Sequence, residues 1–121
     1  MDIQTYGDRQ ARIIKDSGSL KLNLAHMAMG VSGEAGEILD DVKKHFAYDK
    51  AIDRGHILEE VGDVVFYLNG LIRLLDATWG EVLEMNVAKL SVRYPKGTFD
   101  ADNAINRDTN AEQEAMSGAS A

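Results

Sequence analysis

Apolar side chains return every third or fourth position through the middle of this chain. Leu24, Ala28, Val31, Ala35, Ile38, Val42 and Phe46 form one stripe; Ile57, Val61, Val64, Leu68, Leu71 and Leu75 form a second. That period is the α-helix's, and alternation typical of a strand is almost absent. The stripes predict two long helices, over residues 20–45 and 54–77, joined by a loop over 47–53. Asp53 stands where the second helix needs an N-cap. Thr78-Trp79-Gly80-Glu81 is a capping box that starts a further helix, carrying Val82, Leu83, Val87, Leu90 and Tyr94 as far as Pro95. Ahead of these, residues 2–15 predict a first helix, capped by Asp2 and ended by Ser17-Gly18-Ser19.

Beyond Lys96 the large apolar residues thin out and Asn, Asp, Ala, Ser, Gly and Glu take over. The expected architecture is therefore all-α: a bundle of about four helices over residues 1–102, then a flexible C-terminal tail over 103–121. A long helix pair with this many apolar positions needs a partner, so self-association into at least a dimer is expected. Gly30, Gly33 and Gly36 lie inside the second helix, each costing about 1 kcal/mol relative to alanine. Close helix packing or close approach of a ligand would explain them.

Composition narrows the function classes. The chain has 121 residues, enough for one domain with a real core. It has no cysteine, which excludes disulfides, thiol catalysis and Cys-based zinc sites and fits a cytoplasmic setting. The N-terminus has neither the basic nor the apolar region of a secretory signal, and no apolar run approaches a membrane span. A formal charge of −7 argues against a nucleic-acid backbone as partner, but a small phosphorylated ligand stays open through local cations or metal. Serine-nucleophile, P-loop and dinucleotide fingerprints are absent. His26, His45 and His56 are scattered, and none follows a glutamate by three, so a ferritin-like di-iron site has no support.

The chemistry concentrates in two acidic pairs, Glu34/Glu37 and Glu60/Asp63, each with three-residue spacing in helix-periodic sequence. That spacing puts both carboxylates of a pair on one helix face. Asp41 and Lys44 continue the first face and Tyr67 the second. Two carboxylates about 5 Å apart repel by roughly 3 kcal/mol at an effective dielectric near 20. Four converging acids would need protons, cations or a divalent metal, and an all-oxygen donor set suits Mg²⁺ or Mn²⁺. The same acids also read as a solvated helix face paired with lysines. Asn86, Lys89 and Arg93 fall at i, i+3 and i+7, an amide and two cations on one face. They suit an anionic ligand, or equally ordinary charge near a helix C-terminus. Tyr67 can stack on a base, bond a sugar, or edge the core.

Glu34-Ala35-Gly36-Glu37 followed by Glu60-Val61-Gly62-Asp63 resembles the Glu-x-x-Glu and Glu-x-x-Asp signature of the MazG-like all-α nucleoside triphosphate pyrophosphohydrolases. Gly33, Lys43-Lys44, Glu59 and Asn86-x-x-Lys89-Leu90-x-x-Arg93-Tyr94-Pro95 match in context, and the resemblance spans residues 20–95. It implies a helical bundle assembling as a dimer or dimer of dimers. The implied reaction is Mg²⁺-dependent hydrolysis of a (deoxy)nucleoside triphosphate to the monophosphate and pyrophosphate, with Mn²⁺ able to substitute. Glu34, Glu37, Glu60 and Asp63 would hold the metal. Glu37 and Glu59 are the candidates for handling the attacking water. Lys89, Arg93 and Lys44 would meet phosphates, and Asn86 and Tyr67 sugar or base. Small residues at Ala28, Gly30 and Gly33 lean toward a purine such as dGTP or GTP. Alternatives are a phosphoribosyl-ATP pyrophosphohydrolase-like activity and a non-catalytic helical interaction module.

Overall fold

The computed structural model describes residues 1–119. Within them the chain is helical throughout, without strands, and forms two compact units, residues 1–76 and from Ala77 onward. Six α-helices are present among the described residues rather than about four. No helix among the described residues is long and apolar enough to cross a membrane.

In the first unit, α1 spans Ile3–Gln10, with the Thr5 amide donating to the Asp2 carboxylate at 2.7 Å, and a 3-10 turn follows over Ala11–Ile13. Helix α2 runs unbroken over Leu20–Tyr48. Ser19 caps its start, and it stops where Asp49 turns left-handed at φ 51°. Helix α3 covers Arg54–Leu74, capped by Asp53, which accepts from the His56 amide at 3.0 Å.

The facing residues of α2 and α3 run in opposite directions along the chain. Met27 meets Gly70, Gly30 meets Tyr67, Glu34 approaches Glu60 and Asp63, and Asp41 meets His56. The pair is therefore an antiparallel hairpin. Two glycines permit its closeness: a Cβ at Gly30 would sit inside the Tyr67 ring, and one at Gly70 inside the Met27 thioether. A Cβ at Gly33 or Gly36 would meet nothing within 4 Å, so packing within the chain does not account for them. Helix α1 is tied on by the buried Asn69, whose side-chain amide donates to the Gly7 carbonyl at 3.1 Å.

In the second unit, α4 spans Trp79–Arg93 behind the expected Thr78 cap, which accepts from the Glu81 amide at 3.1 Å. A turn at Gly97 follows Pro95, and Phe99 folds back against the Tyr94 ring. The expected boundary at residue 102 falls inside α5, Ala101–Ile105. The expected flexible tail is corrected as well: α6 forms over Thr109–Ala119 and packs on α4, while residues 120–121 lie outside the described residues. Asp108 starts α6 by accepting from the Ala111 amide at 3.0 Å. Its inner face is Ala111, Glu112, Ala115 and Met116, a helical period written with small residues and one acid.

Candidate metal centre and adjoining cleft

The hairpin register brings carboxylates from both long helices together. Glu34 of α2 and Glu60 and Asp63 of α3 each place an oxygen within 4.8 Å of the others. Glu34 is half-buried, Glu60 buried and Asp63 exposed, so the cluster opens to solvent on one side. A hydrogen bond shared with Glu34, followed by burial, pushes the Glu60 carboxyl above the usual carboxylate range. That is the signature of crowded like charge: the cluster holds its proton more tightly, although the neighbouring His56 pulls the other way. Three oxygen donors of this kind fit a hard divalent cation such as Mg²⁺ or Mn²⁺.

Of the four acids expected to converge, Glu37 is not in the trio and stands exposed on α2, one turn from Glu34. Glu59 is also exposed, next to the buried Glu60. Asp41, two turns beyond Glu34 on the same face, points at α3 instead and bonds His56 Nδ1. His56 Nε2 in turn lies 3.2 Å from Glu60 Oε1. Asp41 first, then the Glu60 charge, raises the His56 pKa. The sequence reading set this histidine aside; its position four residues before Glu60, on the same face of α3, was the available signal. Lys44 pairs with Asp40 at 2.9 Å and stands 4.0 Å from Asp41.

Beside the trio opens a cleft of about 530 Å³ lined by Tyr6, Gln10, Glu34, Asp63, Phe66 and Tyr67, among others. Tyr67 makes edge contacts with His26 and Phe66 and fills the space above Gly30, so the room expected at Gly30 for a large base is taken by an aromatic ring. Burial and the Asp63 charge push the Tyr6 hydroxyl's pKa up. Carboxylates at one end and aromatic faces along the wall suit a ligand with a charged, metal-seeking part and a flat one.

Asn86, Lys89 and Arg93 lie on α4 in the second unit. Asn86 is exposed and Lys89 half-buried. Arg93 donates from Nε to Glu112 Oε1 at 3.0 Å, and its guanidinium lies 5.9 Å from the Tyr94 ring centre. Arg107 holds the other side of Glu112 at 2.6 Å. The cation expected to face phosphate is thus engaged by an acid of α6.

The MazG nucleotide pyrophosphohydrolase domain matches residues 22–98. The chain is also 35% identical over 80 residues to the Gene 37 protein of Mycobacterium phage L5, covering 63% of this chain and 70% of that protein. No solved structure matches the chain significantly.

Proposed function

The chain belongs to the MazG nucleotide pyrophosphohydrolase domain family, and from that premise we propose that it hydrolyses a (deoxy)nucleoside triphosphate to the monophosphate and pyrophosphate with Mg²⁺. The convergence of Glu34, Glu60 and Asp63 at the mouth of an aromatic-lined cleft carries this reading. These three would hold the metal, with Glu37 joining from the next turn of α2. Bound Mg²⁺, or Mn²⁺ in its place, supplies charge neutralisation for the triphosphate and acidifies the attacking water.

The chain's own groups do the rest. Tyr67, with Tyr6 and Phe66 around it, stacks on the base, and a purine such as dGTP or GTP would offer these rings the larger face. Glu37 or Glu59, both exposed beside the trio, takes the proton of the water that attacks the α-phosphorus, and pyrophosphate leaves with the electron pair of the broken P–O bond. Lys89, Arg93 and Asn86, all on the second unit, are the proposed phosphate, phosphate and sugar or base contacts, Arg93 only once released from Glu112. Lys44 is a further phosphate ligand that would first have to leave Asp40.

Pyrophosphate release from the eight common nucleoside and deoxynucleoside triphosphates, with Mg²⁺, with Mn²⁺ and with EDTA, tests the reading. Metal-dependent pyrophosphate from one nucleotide class is expected, lost to background in Asp63→Ala. Silence across the panel, or full activity in Asp63→Ala, would remove the proposed site.

A further inference from the structure

His56 touches two carboxylates that belong to different helices. Its Nδ1 faces Asp41 of α2 and its Nε2 faces Glu60 Oε1 of α3 at 3.2 Å. Nδ1 is hydrogen-bonded to Asp41 and Nε2 stands at ion-pair distance from Glu60, so a protonated ring is held between carboxylates on both sides. Asp41 is held from its far side by Lys44 Nζ at 4.0 Å, and its side chain is only 14% exposed. A chain of contacts therefore runs from Lys44 through Asp41 and His56 to Glu60, and ends at the acidic trio.

A tie between α2 and α3 needs only the Asp41–His56 contact. The ion-pair contact from His56 to Glu60 joins two residues of the same helix and contributes nothing to holding the hairpin closed. What it does is set an imidazole nitrogen 3.2 Å from one oxygen of Glu60, a member of the acidic trio. Glu60 is crowded by two other acids, and a buried carboxylate is costly unless a partner group compensates it. We propose that His56 is a positioning residue, which with Asp41 fixes the Glu60 carboxylate in the orientation that completes the divalent-metal site. This rests on the metal-dependent reading above. Carboxylate ligands held by outer hydrogen bonds commonly lose affinity for their ion when that outer partner is removed.

The rival role has the opposite sign. A cation standing near the trio only as counter-charge repels the incoming metal, so its removal would tighten binding. The test is titration of the nucleotide-free protein with Mn²⁺ alone, following free Mn²⁺ by electron paramagnetic resonance, with helix content and melting recorded on the same samples. His56→Ala is expected to weaken Mn²⁺ binding by about 10- to 100-fold. His56→Gln should retain most of the affinity, because a glutamine amide four residues before Glu60 can still donate to it. Asp41→Ala, which frees the ring, should fall between the two. In turnover, His56→Ala should need more Mg²⁺ but approach the wild-type kcat at saturating metal.

Equal or tighter Mn²⁺ binding in a folded His56→Ala overturns the inference. If that variant does not fold, wild-type affinity in Asp41→Ala overturns it instead. Wild-type protein that takes up no Mn²⁺ would overturn the metal-dependent function itself, which separates the two failures.

Discussion

Two glutamates are buried among the described residues, Glu60 and Glu112, and their surroundings are opposite. Glu60 lies among acids with one histidine for relief, so its pKa is raised above 4.5. The folded state then binds that proton more tightly than the unfolded chain. The stability it confers is complete below pH 4.5 and is lost as pH rises through the folded value. Metal-free protein should therefore melt at a lower temperature as pH rises across that window. Glu60→Gln should flatten this dependence, and Mg²⁺ at neutral pH should raise the melting temperature of the wild type but not of the variant. Parallel melts in EDTA and Mg²⁺ over a pH series check all three outcomes. A second prediction concerns packing: Gly30→Ala drives a methyl into the Tyr67 ring, an overpacking cost of about 1–3 kcal/mol. Denaturant unfolding should show it, and the displaced ring should raise KM for nucleotide. At this scale the sequence was partly readable. Three-residue spacing correctly put Glu60 and Asp63 on one face, because both sit on the same helix. It could not reveal that Glu34 reaches across while Glu37 does not, since that depends on how α2 is rotated against α3. His56 was hidden for the same reason: its meaning lies in Asp41, fifteen positions away on another helix.

Helix ends were the most legible elements. Asp2, Asp53 and Thr78 each accept from the amide three residues on, as short polar side chains at helix starts do. Helix α6 was missed because its buried face holds alanines and a glutamate instead of large apolar residues, and hydropathy does not register an acid as a core position. Its docking on α4 runs through Glu112, which the Arg107 and Arg93 guanidinium groups hold at about 2, down from 4.5. The folded state here binds the proton more weakly than the unfolded chain. The contribution to stability is therefore present above pH 4.5 and is lost as pH falls toward about 2. Trp79, the single tryptophan, is buried at the start of α4 and reports on this unit. Its fluorescence should show an acid transition in that window. Glu112→Gln should be less stable at neutral pH and should largely lose the transition. Wild-type stability in the variant would mean that the two arginines do not hold α6 in place.

At the scale of the whole molecule, the long hairpin leaves much of its apolar surface uncovered. Leu39, Val42 and Phe46, at i, i+3 and i+7 on α2, are 67%, 46% and 86% exposed, and Tyr48, Ile52 and Leu58 are exposed nearby. The sequence stripe included Val42 and Phe46 but not Leu39, and these two stripe positions are helical yet exposed in the single chain. The open sides of Gly33 and Gly36 belong to the same helix and would let another backbone approach closely. A contiguous patch of this kind on an isolated chain marks an interaction surface, and a second copy of the same hairpin presents a matching one under two-fold symmetry. The proposed assembly is therefore a dimer through α2, with a dimer of dimers as the larger form. Such an interface typically buries about 1,200–2,000 Å² in total, and exposed aromatic and aliphatic anchors dominate its energy. Leu39→Glu with Phe46→Glu should shift the protein to monomer in light scattering. It should also abolish the dependence of melting temperature on protein concentration that mass action imposes on an associating wild type. Both substitutions lie outside the acidic trio and the cleft, so nucleotide turnover measured on the monomer then answers a separate question. Retained activity would mean that one chain carries a complete site, whereas activity that falls with the oligomer would mean that a neighbouring copy helps to form it.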